Sequence, residues 1–467
     1  MKWVLFLISL FVSSFCFAQT RWINPMLAGF PVVQNQGWTS EIGQTYSRLP
    51  NRAQALVRKP VWDLSRNSAG LAIHFYTNAS QIQVRYQVAG QNYAMNHMPA
   101  TGVSGIDLYA IDSDGKWHLA TEGFSFKDTI TYTFNNLIQS TYHKKGFEYR
   151  LLLPLYNTVK WLEIGTPDSA TLQFIPVMAE KPIIVYGTSI AQGACASRPG
   201  MAWTNIVYRQ LDYPVINLGF SGNGPFEQEM VGFLNEEEAS LYIFDCLPNM
   251  GQLSSEEIYS RVVNGVKALR KNHTTPILLT EHIGYVNDET NAGTRASWQR
   301  MNEAQKKAYH TLLKQGIANL YYLEKDSIHF PQDGNTDYIH PNDWGMQVYA
   351  EAYVKMIRSI LKMPIGKAPT AQPVSLRREP GNYEWKARHE NLLKDISKGS
   401  PQSIILGNSI VHYWNEPPAS ARGEDSWNKT MKGFTNMGFG WDRIENVLWR
   451  VYHGVGHNGR KQLLITK

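Results

Sequence analysis

Five short apolar runs, at 183–186, 215–220, 241–244, 277–280 and 320–323, alternate with stretches whose apolar residues recur at helical spacing. Runs of this length suit strands covered on both faces, which read as continuous hydrophobic segments rather than as alternating ones. Strand, helix and strand repeated in this order imply a parallel sheet with helices on both sides. The intervening stretches carry their own start signals. Ser254-Ser255-Glu256-Glu257 opens one with capping chemistry, and Ile258, Val262, Val266 and Leu269 lie along one face. Another covers about 293 to 315, with Trp298, Met301, Ala308 and Leu312 inward.

Upstream of Pro182 the period changes. Segments 71–76 and 82–88 alternate apolar and polar residues with the period of two expected of half-buried strands, and similar pieces recur at 105–111, 129–134 and 147–153. Regularly spaced strands without helical stretches suggest an antiparallel, jelly-roll-like sandwich. The expected organisation is therefore an all-β unit over 19–178 followed by a three-layer αβα unit over 179–363. At 467 residues and 43% hydrophobic, the chain is long enough to bury several cores.

Open α/β sheets hold their ligands at the carboxyl rim, and four turns lie there. The first apolar run ends in Gly187-Thr188-Ser189-Ile190. The second leads into Gly219-Phe220-Ser221-Gly222-Asn223-Gly224, whose free amides can face a developing oxyanion. The third leads into Asp245-Cys246-Leu247-Pro248-Asn249, which offers one side-chain amide. Near the end of the unit, Asp337-Tyr338-Ile339-His340 puts a carboxylate three residues before an imidazole. A serine hydroxyl becomes a useful nucleophile only when a base takes its proton, and a carboxylate fixes that base in the right tautomer. Donors aimed at the tetrahedral oxygen supply the largest remaining contribution. Together these are the parts of an acyl-transfer site.

These four blocks, in this order, resemble those of the SGNH (GDSL-type) hydrolases over 181–362. The resemblance implies Ser189 as nucleophile, His340 as base and Asp337 as its orienter, with an oxyanion hole from the amides of Ser189 and Gly222 and the side chain of Asn249. Two departures stand out: Thr188 replaces the Asp of the family name, and Pro248-Asn249-Met250 replaces Gly-x-Asn-Asp. Gly105-Ile106-Asp107-Leu108-Tyr109 resembles the motif of a β-rich domain that accompanies such hydrolases, so that 20–362 resembles secreted bacterial carbohydrate esterases. The expected substrate is an O-acylated, above all O-acetylated, carbohydrate, with no metal or cofactor. The alternatives are a lipid-type esterase or thioesterase, and a catalytically silent glycan-binding protein. His282, at the end of the fourth apolar run, either is a satisfied structural histidine or lines the site; Arg198 either holds a substrate oxygen or braces a loop.

The tail restarts the theme. After a linker at 364–383, Gly407-Asn408-Ser409-Ile410 repeats the nucleophile block and Asn436-Met437-Gly438-Phe439-Gly440 the glycine block. The segment 384–467 thus resembles a partial second SGNH unit, of the group that includes the platelet-activating-factor acetylhydrolase catalytic subunits. Its third strand is expected at 463–467, and no asparagine or Asp-x-x-His block follows, so Ser409 and Gly440 are expected to be inactive remnants. Such a half-sheet belongs either to a natural truncation or to a fragment of a longer chain.

At the other end, Met1-Lys2-Trp3, an apolar run and Cys16-Phe17-Ala18 match a secretory leader cleaved after Ala18, which places the mature chain outside the cytoplasm or in the periplasm. No later segment is long enough to span a membrane. The formal charge of +6 is scattered and does not imply nucleic acid, and oligomeric state is left open. Cys195 and Cys246 remain after leader removal; they either pair as a disulfide beneath the pocket or stay as two buried thiols.

Overall fold

The computed structural model describes residues 19–120, 123–140, 142–364, 370, 372–378, 383–399, 403–415 and 422–455. The leader at 1–18, part of the linker and the strand expected at 463–467 lie outside the described residues. Among the described residues no helix is long and apolar enough to cross a membrane.

Strands are numbered along the chain. One antiparallel sheet holds β1 (Thr20–Ile23), β4 (Ile82–Val88), β7 (Gly123–Ser125), β8 (Ile130–Phe134) and β10 (Val159–Pro167), in the spatial order β1-β10-β4-β8-β7. The facing sheet holds β3 (Ala72–Thr77), β5 (Asp107–Ile111), β6 (Trp117–Ala120), β9 (Phe147–Leu152) and β11 (Leu172–Phe174), in the order β11-β3-β9-β5-β6, with β2 (Val33–Gln34) beside β3. Ile73, Phe75, Val84, Tyr86, Leu108, Leu151, Leu162 and Ile164 fill the space between them. On β4 every second residue is buried down to Tyr86, as the alternation implies.

β3 departs from that expectation, because all six of its residues are buried. Its polar face is covered by the following unit: His74 Nε2 pairs with the Tyr208 hydroxyl, and the neighbouring Arg150 of β9 donates to Asp212 Oδ1 at 2.6 Å. Alternation marked the two faces correctly, but both are interior.

The second unit is a parallel sheet of β12 (Ile183–Gly187), β13 (Val215–Gly219), β14 (Leu241–Asp245), β15 (Ile277–Thr280) and β16 (Leu320–Leu323), in the order β13-β12-β14-β15-β16. Ile184 and Tyr186 pack with the helices Gln228–Leu234, Ser255–Arg270 and Ala292–Lys314, while Ile183 and Val185 pack with Trp203–Leu211 and Asp343–Ile360. Helices cover both faces, which explains the unbroken apolar runs. The Ser254 hydroxyl accepts from the Glu257 amide at 3.2 Å and the Glu257 carboxylate returns a bond to the Ser254 amide at 2.8 Å, completing the capping box.

The tail forms a parallel pair, β17 (Ser403–Gly407) and β18 (Phe434–Gly438), under the helix Trp385–Lys398. Within the stretch read as a linker, Ser375, Leu376 and Arg377 are buried. Arg377 Nε donates to Glu148 Oε2 at 2.6 Å, and the Trp449 indole and the Ser375 hydroxyl both donate to Asp212 Oδ2, at 3.0 and 2.9 Å. Composition suggested a solvated connection; paired charges bury it instead.

Candidate active site

β12 ends at Gly187, where a Cβ would fall 2.8 Å from Ala191 Cβ and 2.9 Å from the Asp245 carbonyl. The chain then turns into the helix Ser189–Gln192. Thr188 caps it, its hydroxyl accepting from the Ile190 amide at 3.3 Å. An N-cap needs only a short side-chain oxygen, so Thr188 supplies locally what an Asp would supply.

Three of the four rim turns are tied to one another. The Gly187 carbonyl accepts from the Phe220 amide at 3.0 Å. Gly224 packs so closely on Gly187 that a Cβ would come within 2.0 Å of its carbonyl oxygen, and the Gly224 amide donates to Asn249 Oδ1 at 3.0 Å. With its oxygen engaged, the Asn249 carboxamide keeps its NH2 as donor. Gly222 takes φ +68° on an exposed bend. Among the described residues neither its amide nor that of Ser189 has a partner.

The fourth turn meets the first directly. Ser189 Oγ lies 2.9 Å from His340 Nε2, and His340 Nδ1 lies 2.7 Å from Asp337 Oδ2. Asp337 Oδ1 accepts from the amides of Ile339 and His340 at 2.9 and 2.8 Å. Burial alone would raise the Asp337 pKa, but the His340 side chain and these two amides outweigh it and hold the carboxyl below its ordinary range. An ionised Asp337 keeps the ring proton on Nδ1 and leaves Nε2 as the acceptor for the Ser189 hydroxyl.

His282 is buried, its Nδ1 accepts from the Gly284 amide at 2.9 Å, and burial pushes its pKa down to about 3, as befits a structural histidine. Arg198 braces: its Nη1 donates to Asp107 Oδ2 and the Tyr109 hydroxyl, both at 2.7 Å, so the Gly105–Tyr109 motif clamps the sandwich onto the second unit. Cys195 and Cys246 are free buried thiols, which decides between the two alternatives in favour of unpaired cysteines. Cys246 donates to the Tyr186 carbonyl at 3.5 Å, while Cys195 faces Asp337 and His340.

In the tail, Phe439 N bonds the Gly407 carbonyl at 2.9 Å as Phe220 N bonds Gly187. Gly440, read as the counterpart of Gly222, takes the place of Ser221: its amide donates to His412 Nδ1 at 3.2 Å, as that of Ser221 donates to Gln192 Oε1 at 3.0 Å. Trp441, at φ +69°, stands where Gly222 has +68°. Among the described residues no imidazole or carboxylate bonds Ser409.

Sequence reasoning missed three contributions from the sandwich. The Tyr156 hydroxyl donates to the Ser189 carbonyl at 3.3 Å. The His97 ring stacks on His340, centroids 5.7 Å apart. Arg48, 2% exposed, donates to the carbonyls of Asn217 and Gly219 at 3.1 and 2.7 Å, just before the glycine loop. None has a local signal, because each lies far upstream of the residue it touches.

Residues 180–358 match the GDSL-like Lipase/Acylhydrolase family, and residues 20–172 match GxDLY, the N-terminus of Esterase_SGNH_hydro-type. Among solved structures, a GDSL-like lipase of Bacteroides ovatus is 33% identical with a TM-score of 0.67, covering 74% of this chain and 98% of its own. The salicylyl-acyltransferase SsfX3 is 19% identical with a TM-score of 0.58, covering 73% of this chain and 98% of its own, and shares the fold. The platelet-activating factor acetylhydrolase IB subunit alpha1 of Rattus norvegicus is 21% identical over 103 residues, 22% of this chain; the match spans 41% of that relative's length.

Proposed function

Because the chain belongs to the GDSL-like lipase/acylhydrolase family, we propose that it is a serine esterase removing O-acyl groups, above all O-acetyl groups, from carbohydrates outside the cytoplasm. The observation that carries this reading is the continuous relay from the Ser189 hydroxyl through His340 to Asp337, at 2.9 and 2.7 Å. Ser189 Oγ attacks the ester carbonyl while its proton passes to His340 Nε2. The amides of Ser189 and Gly222 and the Asn249 NH2 receive the oxyanion, each donor contributing roughly 3–4 kcal/mol to its stabilisation. Collapse expels the sugar hydroxylate, which takes the proton from His340. Water then enters, gives a proton to the same nitrogen, and releases the acid and Ser189.

The carbohydrate assignment rests on the resemblance of 20–362 to two-domain carbohydrate esterases, and a short acyl group agrees with the acetylhydrolase relative. The leader at 1–18, cleaved after Ala18, would export the protein. The units 19–178, 179–363 and 384–467 are read as sandwich, working unit and a repeat of the same theme whose Ser409 has no base among the described residues.

Ser189→Ala should abolish hydrolysis of p-nitrophenyl acetate with an unchanged circular dichroism spectrum, and wild type should release acetate from acetylated xylan, pectin or chitooligosaccharides. Turnover retained in the variant would remove Ser189 from its role. Faster cleavage of long-chain esters than of acetate would overturn the substrate assignment.

A further inference from the structure

Beside the relay lie two side chains that it does not use. Metal-ligating atoms of His97, Cys195, Asp337 and His340 all lie within 4.8 Å of one another. His97 occupies the turn between Met95 and Met98, whose backbones exchange hydrogen bonds at 2.9 and 3.1 Å. Cys195 follows the nucleophile helix with φ +68°, a conformation that costs a non-glycine residue on the order of 1 kcal/mol and so must be enforced by its surroundings.

The enforcement is visible. Met98 and Ala196, the next neighbours of His97 and Cys195, are buried in one apolar cluster with Ala69, Val103, Leu155 and Ala202. A Cβ on Gly102 would come within 2.2 Å of the Ala196 carbonyl, so the two backbones are in close contact. The backbone segments that carry the exposed His97 and the buried Cys195 are therefore packed against each other beside His340.

We propose that His97, Cys195, Asp337 and His340 form a binding site for a borderline-soft divalent cation such as Zn2+, and that occupancy switches the esterase off. Two imidazoles, a thiolate and a carboxylate suit zinc in kind and number. Tetrahedral zinc with bonds of about 2.0–2.3 Å separates its ligand atoms by roughly 3.3–3.8 Å, so closure takes side-chain rotations of about an ångström. On binding, the Cys195 S–H proton leaves to solvent as the sulfur–metal bond forms, and His340 offers the Nε2 lone pair that had accepted the Ser189 hydroxyl, while Nδ1 keeps its proton. No other change is needed for inhibition, because the base and its carboxylate are both taken.

Inhibition rests on the esterase reading; binding does not, so the test separates them. Co2+ added to the metal-free full chain should give a thiolate-to-cobalt charge-transfer band in the near ultraviolet, absent in Cys195→Ser. Zn2+ should inhibit p-nitrophenyl acetate hydrolysis reversibly, with EDTA restoring it. His97→Ala and Cys195→Ser, each compared with its own metal-free rate, should need at least about tenfold more Zn2+ than wild type for half-inhibition. The absence of a thiolate band, or half-inhibition at the same Zn2+ concentration in wild type and both variants, would overturn the proposal. A chain with the cobalt band but no hydrolysis in any condition would support the metal site while refuting the esterase reading.

Discussion

Replacing Arg48 by Met tests how the sandwich supports the catalytic rim. Its guanidinium donates to four backbone carbonyls, those of Asn67 at 2.9 Å, Asn217 at 3.1 Å, Gly219 at 2.7 Å and Leu64 at 2.7 Å. Among the described residues no carboxylate forms a salt bridge with Arg48, and burial lowers its pKa to about 9, which still leaves it charged at neutral pH. Met fills the volume of the stem and removes the charged donor from four acceptors, of which the Leu64 carbonyl keeps the Asn67 amide at 3.0 Å. A hydrogen bond to a charged donor contributes about 1.5–3 kcal/mol net, and part of that sum is returned because an uncompensated guanidinium is no longer desolvated. The expected net loss is about 3–5 kcal/mol. At roughly 2–4 °C per kcal/mol for a unit of this size, the main thermal transition should fall by on the order of 10 °C. Gly219 lies three residues before Gly222, so a loosened strand end also displaces the proposed oxyanion donor. Removal of one such donor costs about 10²–10³ in kcat, and its displacement should cost at least tenfold, measured well below the transition. Arg48→Lys, which cannot span four acceptors, should fall between. A Met variant that melts within about 2 °C of wild type with unchanged kcat would refute this reasoning.

Other expectations follow from the same geometry. Asp337→Asn should lower kcat by about 10⁴ with little change in stability, since the amide favours the wrong tautomer of His340; a loss below tenfold would contradict the relay. Burial raises the Asp245 pKa to about 7, so the folded chain holds a proton that the unfolded chain releases near pH 4. Stability should therefore be highest below pH 4 as far as this group is concerned and fall by roughly 1.4 kcal/mol per unit between pH 4 and 7; Asp245→Asn should flatten that slope in denaturant titrations. Glu148→Gln leaves the buried Arg150 and Arg377 and the half-buried Lys386 around a neutral group, which should cost about 3–5 kcal/mol and open 372–378 to limited proteolysis; an equally resistant tail would refute the clamp.

The parallel sheet was legible because helices on both faces demand unbroken apolar runs, and β12 to β16 fall on them. The pairing of His340 with Asp337 was legible because three residues of loop bring both to one place. What escaped depends on contacts between distant segments. The period of β3 marked two faces but could not reveal that Tyr208 covers the polar one. Arg48, His97 and Tyr156 reach the rim from turns with no pattern of their own. Gly440 was assigned by its glycine, whereas backbone placement gives Trp441 the conformation of Gly222. Cys195 and Cys246 were linked by nearness to site residues, a poor guide when one lines the rim and the other packs beneath β12.

The most direct test of the central claim is covalent capture of the nucleophile. Full-length protein treated with a fluorophosphonate should gain one adduct, located by peptide mass spectrometry on Ser189, and His340→Ala should react far more slowly. An adduct on Ser409 or elsewhere, or an unlabelled Ser189 in a chain that still hydrolyses acetate esters, would contradict it.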